Sequence, residues 1–232
     1  MWMDHITFAL HEMDALDGYL HAVGLNRRPV EPLFDGTQRS VILLSEGFVE
    51  LLTVSDRRAA RRLTLGQALI RFLTGGEGIF RAVAGVLDLD AFMRTRRILG
   101  AQYWPPIDEE ITGIAAGPVP IRLTQMDLML PWVLEYRGER PTRHLEGPRF
   151  SAVEVQSADP RTTASQYRIA LGCDIDEEEP PGGSPRMRLE NAMLRFERGA
   201  SPGFCGLVIE DGASALVLRA EGGQVSGTLI DR

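Results

Sequence analysis

Two segments of the chain carry side chains able to do chemistry. "DHITFAL" (residues 4–10) places His5 in a strand-like run, and "GFVELLTV" (47–54) places Glu50 in an apolar one. Strand side chains alternate, so His5, Thr7 and Ala9 share one face of their strand, as Phe48, Glu50 and Leu52 do of theirs. A carboxylate on a buried strand face is costly unless it is paired or bound to a cation. A histidine and a glutamate brought together suit a first-row divalent metal, and two carboxylates with one histidine leave room for a substrate oxygen. The same residues also suit a metal-free cleft that contacts a ligand directly, or a purely structural polar cluster. The residues by themselves leave all three readings open.

The surrounding pattern supplies the elements that must position them. Ile6 to Leu10 reads as a strand. Met13, Leu16, Leu20 and Val23 then recur at helical spacing up to Gly24, which stands where a C′ glycine belongs. Strand-like runs follow at 27–30, 39–44 and 48–54, the last two joined by "SEG". Strand and helix recur at 78–100, with Asp88 as N-cap and Gly100 as C′ residue, and again at 149–172, with Asp159 capping, Pro160 at N1 and Gly172 closing. Strands are predicted after them at 113–123 and 130–137, and at 186–197, 204–210 and 214–221. Superposing the three glycines sets His5 against Arg81 and Val153.

Residues 55–75 read as an extra helix. The cluster Arg57, Arg58, Arg61 and Arg62 at its start is a solvated face or an anion patch. The acidic, Pro/Gly-rich stretch 173–185 reads as an exposed loop. Trp104 and Trp132 are expected in the core or on a cleft wall.

Composition narrows the function. The 232 residues carry a net charge of −7 with 44% hydrophobic residues, an ordinary soluble composition without the basic excess of a nucleic-acid binder. All 25 basic residues are arginine, which rules out a lysine Schiff base or a P-loop lysine. No run approaches a membrane span, no leader-like segment opens the chain, and Cys173 and Cys205 form no framework. A cytoplasmic protein with reduced thiols is expected.

"DHITFALHEMDALDGYLHAVGL" with "DGTQRSVILLSEGFVELLTV" resembles the glyoxalase-like branch of the vicinal oxygen chelate superfamily, and "LPWVLEYRGERPTRHLEGPRF" (130–150) resembles that branch's second-unit ending. The resemblance covers roughly residues 3–172, in patches. It implies an α+β fold of repeated βαβββ units whose curved mixed sheets enclose a cleft. Residues 1–140 would form the paired units, with the helical insertion near 55–75, and 141–232 a third, partial unit packed on them. In metal-dependent members the ligands project from the first and last strands of each unit. His5 and Glu50 match the first pair, and Arg81 and Glu135 the second.

The resemblance therefore implies a divalent metal (Zn, Mn, Fe or Ni) on His5, Glu50 and Glu135, or no cofactor, since Arg81 breaks the four-ligand set. Two function classes follow. The first is a lyase or isomerase acting on a small oxygenated molecule, with Glu50 or Glu135 as general base. The second is a metal-free binding or sequestering protein in which Arg81, Trp132 and His144 contact the ligand. The expected partner is a small molecule, not nucleic acid or membrane, and the expected state is monomer or homodimer.

Overall fold

The structure, a computed structural model, describes residues 1–125, 130–141, 146–176, 183–212 and 214–231. The first unit runs β1 (Trp2–Ala9), α1 (Asp17–His21), β2 (Glu31–Pro32), β3 (Thr37–Leu43) and β4 (Phe48–Val54). An insertion, α2 (Arg57–Ala60) and α3 (Thr64–Thr74), leads to a second unit: β5 (Gly78–Gly85), α4 (Leu89–Ile98), β6 (Ile107–Ile111), β7 (Val119–Thr124) and β8 (Trp132–Tyr136). These strands form one sheet in the order β2-β3-β4-β1-β5-β8-β7-β6. Each unit closes with its first and last strands parallel, and the antiparallel pair β1–β5 joins the two.

The third unit is β9 (Arg149–Ser157), α5 (Pro160–Leu171), β10 (Ile175–Asp176), β11 (Arg186–Arg188) and β12 (Met193–Arg198). A meander follows: β13 (Gly203–Asp211), β14 (Ser214–Glu221) and β15 (Gln224–Asp231). They make a second sheet in the order β10-β11-β12-β9-β13-β14-β15. The fold is thus α+β, built on mixed, curled sheets. The run predicted as one strand at 186–197 is a hairpin, β11–β12, turned at Glu190 and Asn191.

Local signals positioned the longer helices. The Asp88 side chain accepts from the Ala91 N–H and that of Asp159 from the Thr162 N–H, each satisfying an otherwise unpaired first-turn donor. Gly172 closes α5 in the left-handed region, at φ 75°. The first helix is shorter than its periodicity predicted, five residues, yet Leu16, Leu20 and Val23 are buried as the spacing required.

Both sheets turn one face toward a shared core. Ile6 and Phe8 of β1, Met93 of α4, Val153 and Val155 of β9, Tyr167 of α5 and Leu207 of β13 belong to a single buried cluster. The C-terminal unit therefore buttresses the back of the first sheet. Phe150 marks the seam: it is buried, and a side chain added at Gly47 would meet its ring. Phe150→Ala should cost about 3–5 kcal/mol of folding free energy, read from urea denaturation, because the cavity opens where the sheets join.

The opposite, inner face of the first sheet is where the sheet curls. Val41 of β3 packs with Ile111 of β6 and Ile121 of β7, although these strands lie near opposite edges. Arg39 of β3 donates to the backbone oxygen of Thr112, which follows β6. The central strands β4, β1, β5 and β8 contribute to this inner face.

Candidate functional site

His5 and Glu50 both project from the inner face, as alternation required. His5 pairs with Phe48 across the parallel β1–β4 ladder, and Thr7 pairs with Glu50. The His5 ring stacks on Phe48, centroids 4.4 Å apart and 16° from parallel. Alternation is broken one residue earlier. Met3 pairs with Ala84 and His5 with Val83, so Asp4 is the extra residue of a β-bulge. Asp4 thereby joins its neighbour on the inner side. Its carboxylate lies 2.9 Å from His5 Nδ1 and accepts from the Tyr136 hydroxyl at 2.8 Å and the Trp2 indole N–H at 3.3 Å. Nδ1 is thus the protonated nitrogen beside a carboxylate. Among the described residues Nε2 has no hydrogen-bond partner, so in the neutral ring it is the nitrogen left to accept.

Glu50 is 3% exposed, and its oxygens are shared out. Oε2 accepts from Thr7 Oγ1 at 2.8 Å and from Arg81 Nη2 at 3.0 Å, and Oε1 lies 3.5 Å from Arg39 Nη1. Arg81 also donates from Nε to Thr7 Oγ1 at 3.1 Å, and its guanidinium carbon sits 4.8 Å from the Trp132 ring centroid. This cation–π contact leaves the flat ion held between a carboxylate and an indole. Arg39 is pinned further back by Glu31 and Thr112. The two arginines differ in access: the Arg39 side chain is 3% exposed, that of Arg81 14%.

Of the residues expected at the site, the inner face brings together His5, Glu50, Arg81 and Trp132. Glu135 is a correction. Trp132, Leu134 and Tyr136 pack on the inner side, so the odd positions of β8 face the other way, and Glu135 accepts from the Leu89 N–H at the start of α4. A one-residue difference in register moves a side chain to the opposite face. Glu135 therefore faces away from His5 and from the inner side. His144 lies outside the described residues. Trp104, expected in a core or wall, is 66% exposed. Arg57, Arg58, Arg61 and Arg62 are all exposed.

The sequence reading missed Asp4, Tyr136 and Arg39. Asp4 stands in the quoted "DH" pair, but only strand pairing reveals its bulge.

Residues 3–171 match the family model of the glyoxalase-like domain, nearly three quarters of the chain and all of the curled sheet but its first residue, Trp2. The chain belongs to the glyoxalase-like family. Two solved structures share its architecture. A hypothetical protein from Staphylococcus aureus superposes with a TM-score of 0.75 at 17% identity, covering 97% of both chains. A mutant 4-hydroxymandelate synthase from Streptomyces coelicolor superposes with a TM-score of 0.61 at 13% identity, covering 98% of this chain and 92% of that one. At these identities the likeness is one of fold alone. A comparison with curated proteins returns no match. Among the described residues no helix is long and apolar enough to cross a membrane.

In this glyoxalase-like chain the site's electrostatics follow from burial and partners. Burial alone would raise both inner carboxyls. For Asp4 the hydrogen bond and charge of His5, with the Tyr136 and Trp2 donors, outweigh it and hold the carboxyl below its ordinary 3.8. For Glu50 the charges of Arg81, His5 and Arg39, with the Thr7 hydroxyl, hold it below 4.5. A carboxyl depressed in the folded state stabilises the fold above its unfolded value and loses that contribution as pH falls through the folded value. The urea midpoint should accordingly stay level from neutrality to about pH 4.5 and fall steeply below it, and Glu50→Gln should flatten the fall. The thiols lie outside this chemistry: burial, with Glu154 nearby, pushes Cys205 up to about 11, and burial also raises Cys173.

The donors do not fit a divalent metal. His5 offers one uncommitted nitrogen, Glu50 is engaged by two guanidinium groups and a hydroxyl, Asp4 accepts three hydrogen bonds, and Glu135 faces away. Among the described residues no group of three or more His, Cys, Asp or Glu side chains could hold an ion. A divalent ion at Glu50 would also meet two fixed positive charges.

Proposed function

We propose that the inner face of the first sheet binds a small oxygenated molecule bearing an anionic group, with Arg81 and Trp132 as its contacts and no metal between them. The observation that carries this reading is Arg81: the more exposed cation of a buried cluster, anchored on Thr7 and Glu50 and laid against Trp132. A planar guanidinium so fixed can offer paired donors to a carboxylate or enolate oxygen at little ordering cost. The test is a thermal-shift screen with small hydroxy and keto carboxylates. A ligand that raises Tm in the wild type should fail to do so in Arg81→Met, while Glu135→Gln keeps the response. A response that survives Arg81→Met sinks the reading.

The Asp4–His5 pair favours a second reading, an isomerase-type proton transfer in the same cleft. Glu50, held ionised by two arginines, is a weak base; His5 Nε2 is the better-placed acceptor. It would take a proton from a carbon next to a carbonyl and return it, while Arg81 faces the enolate oxygen. Incubation of keto acid probes in deuterated water should then give His5-dependent exchange of that carbon's protons by NMR. Binding without exchange leaves the protein a binder and not an isomerase.

A further inference from the structure

The ladders fix which position in the second unit answers to each in the first. Gly24 and Gly100, both in the left-handed region, superpose at an offset of 76, which sets His5 on Arg81 and Thr7 on Val83. The antiparallel β1–β5 ladder agrees, because it pairs His5 with Val83 and Thr7 with Arg81, two pairs related by a local two-fold axis. Thr7 faces Glu50 across β1–β4, and its counterpart Val83 faces Trp132 across β5–β8. The counterpart of Glu50 is therefore Trp132.

The resemblance set Glu135 as the fourth position; the ladders put Trp132 there instead, so the four equivalent positions are His5, Glu50, Arg81 and Trp132. Only the first two bear a donor. Arg81 reaches from one of these positions to two of the others: Nη2 lies 3.0 Å from Glu50 Oε2, and the guanidinium lies over the Trp132 ring.

From this we infer that the Arg81 guanidinium is a built-in replacement for a divalent cation: it neutralises Glu50, lies against Trp132 and excludes a metal from the four positions. A guanidinium keeps its charge across the physiological range and needs no loading. Trp132 is the matching change, since an indole face stabilises a cation by its quadrupole where a carboxylate would do so by charge. The site would then keep a fixed positive centre whatever the metal supply. This inference stands apart from the ligand-binding reading, because Arg81 would exclude a metal even from a cleft that bound nothing.

The experiment uses Co²⁺ as probe, followed by equilibrium dialysis with elemental analysis and by visible d–d absorption. The wild-type chain should take up no stoichiometric cobalt, and EDTA should leave its Tm unchanged. Arg81→His combined with Trp132→Glu supplies donors at all four positions. That variant should gain one cobalt per chain, lost again when His5→Ala is added. Circular dichroism first establishes that it is folded. A folded double variant that binds no cobalt overturns the inference. So does stoichiometric cobalt on the wild type that disappears in His5→Ala, and this arm decides the matter alone if the double variant does not fold. No arm uses an organic ligand, so a failed ligand screen and a failed metal result are distinguishable.

Discussion

Arg81→Ala is expected to lower folding stability by about 3 kcal/mol and to abolish ligand-induced stabilisation. Removing one partner of a buried ion pair leaves the other charge uncompensated in a poor solvent, at a cost of roughly 3–5 kcal/mol. The lower end applies because Arg39 Nη1 remains 3.5 Å from Glu50 and Thr7 still donates to it. The Glu50 carboxyl should rise once its nearest cation is gone, so the acid loss of stability should begin at higher pH than in the wild type. Pairing Arg81→Ala with Glu50→Gln removes both charges, and most of the stability should return. Ligand binding should not, since the anion contact is still missing. Urea denaturation of the four proteins in this cycle separates the two effects.

Asp4→Ala is the second large change, at about 3 kcal/mol. Asp4 is 1% exposed and is the acceptor for the Tyr136 hydroxyl, the Trp2 indole and His5 Nδ1. Each buried donor left without a partner costs about 1–3 kcal/mol, and the total falls short of the sum because the vacated space admits water. Trp2 is constrained on its other side, where its ring lies against Gly85 so closely that no β-carbon fits there. Asp4→Asn should cost less, since the amide oxygen still accepts, but its NH2 group meets a donor. Under the proton-transfer reading, either change frees His5 to rotate about its stacked position on Phe48. Deuterium exchange should then fall more than ligand affinity, because Asp4 orients the base and does not touch the anion.

What was legible in the sequence is what depends on neighbours in the chain. Asp88, Asp159 and Gly172 announce helix ends because caps are satisfied within a few residues. His5 and Glu50 could be set on strand faces because alternation is local. Glu135 fails for the same reason in reverse: alternation alone does not fix the register of β8, and an odd shift, from Trp132 to Glu135, put it on the wrong face. Asp4 reaches the inner face only because β5 has one residue fewer opposite it, a property of the pair and not of either segment. Strand β6, "IDEEI", has four exposed residues, and β15 is exposed along most of its length, so neither shows the apolar period of a half-buried strand. The back-to-back packing of the two sheets rests on apolar residues over a hundred positions apart, such as Phe8 and Leu207, whose types say only that they are buried.

The most direct measurement is the side-chain Nε–H signal of Arg81 by NMR, followed for hydrogen exchange at neutral pH in the wild type and in Glu50→Gln. A guanidinium clamped between Thr7, Glu50 and Trp132 should exchange slowly, and faster once the carboxylate is neutral. Exchange at the rate of a free arginine in both proteins would mean that Arg81 does not sit on Glu50, and that the proposed site is not assembled.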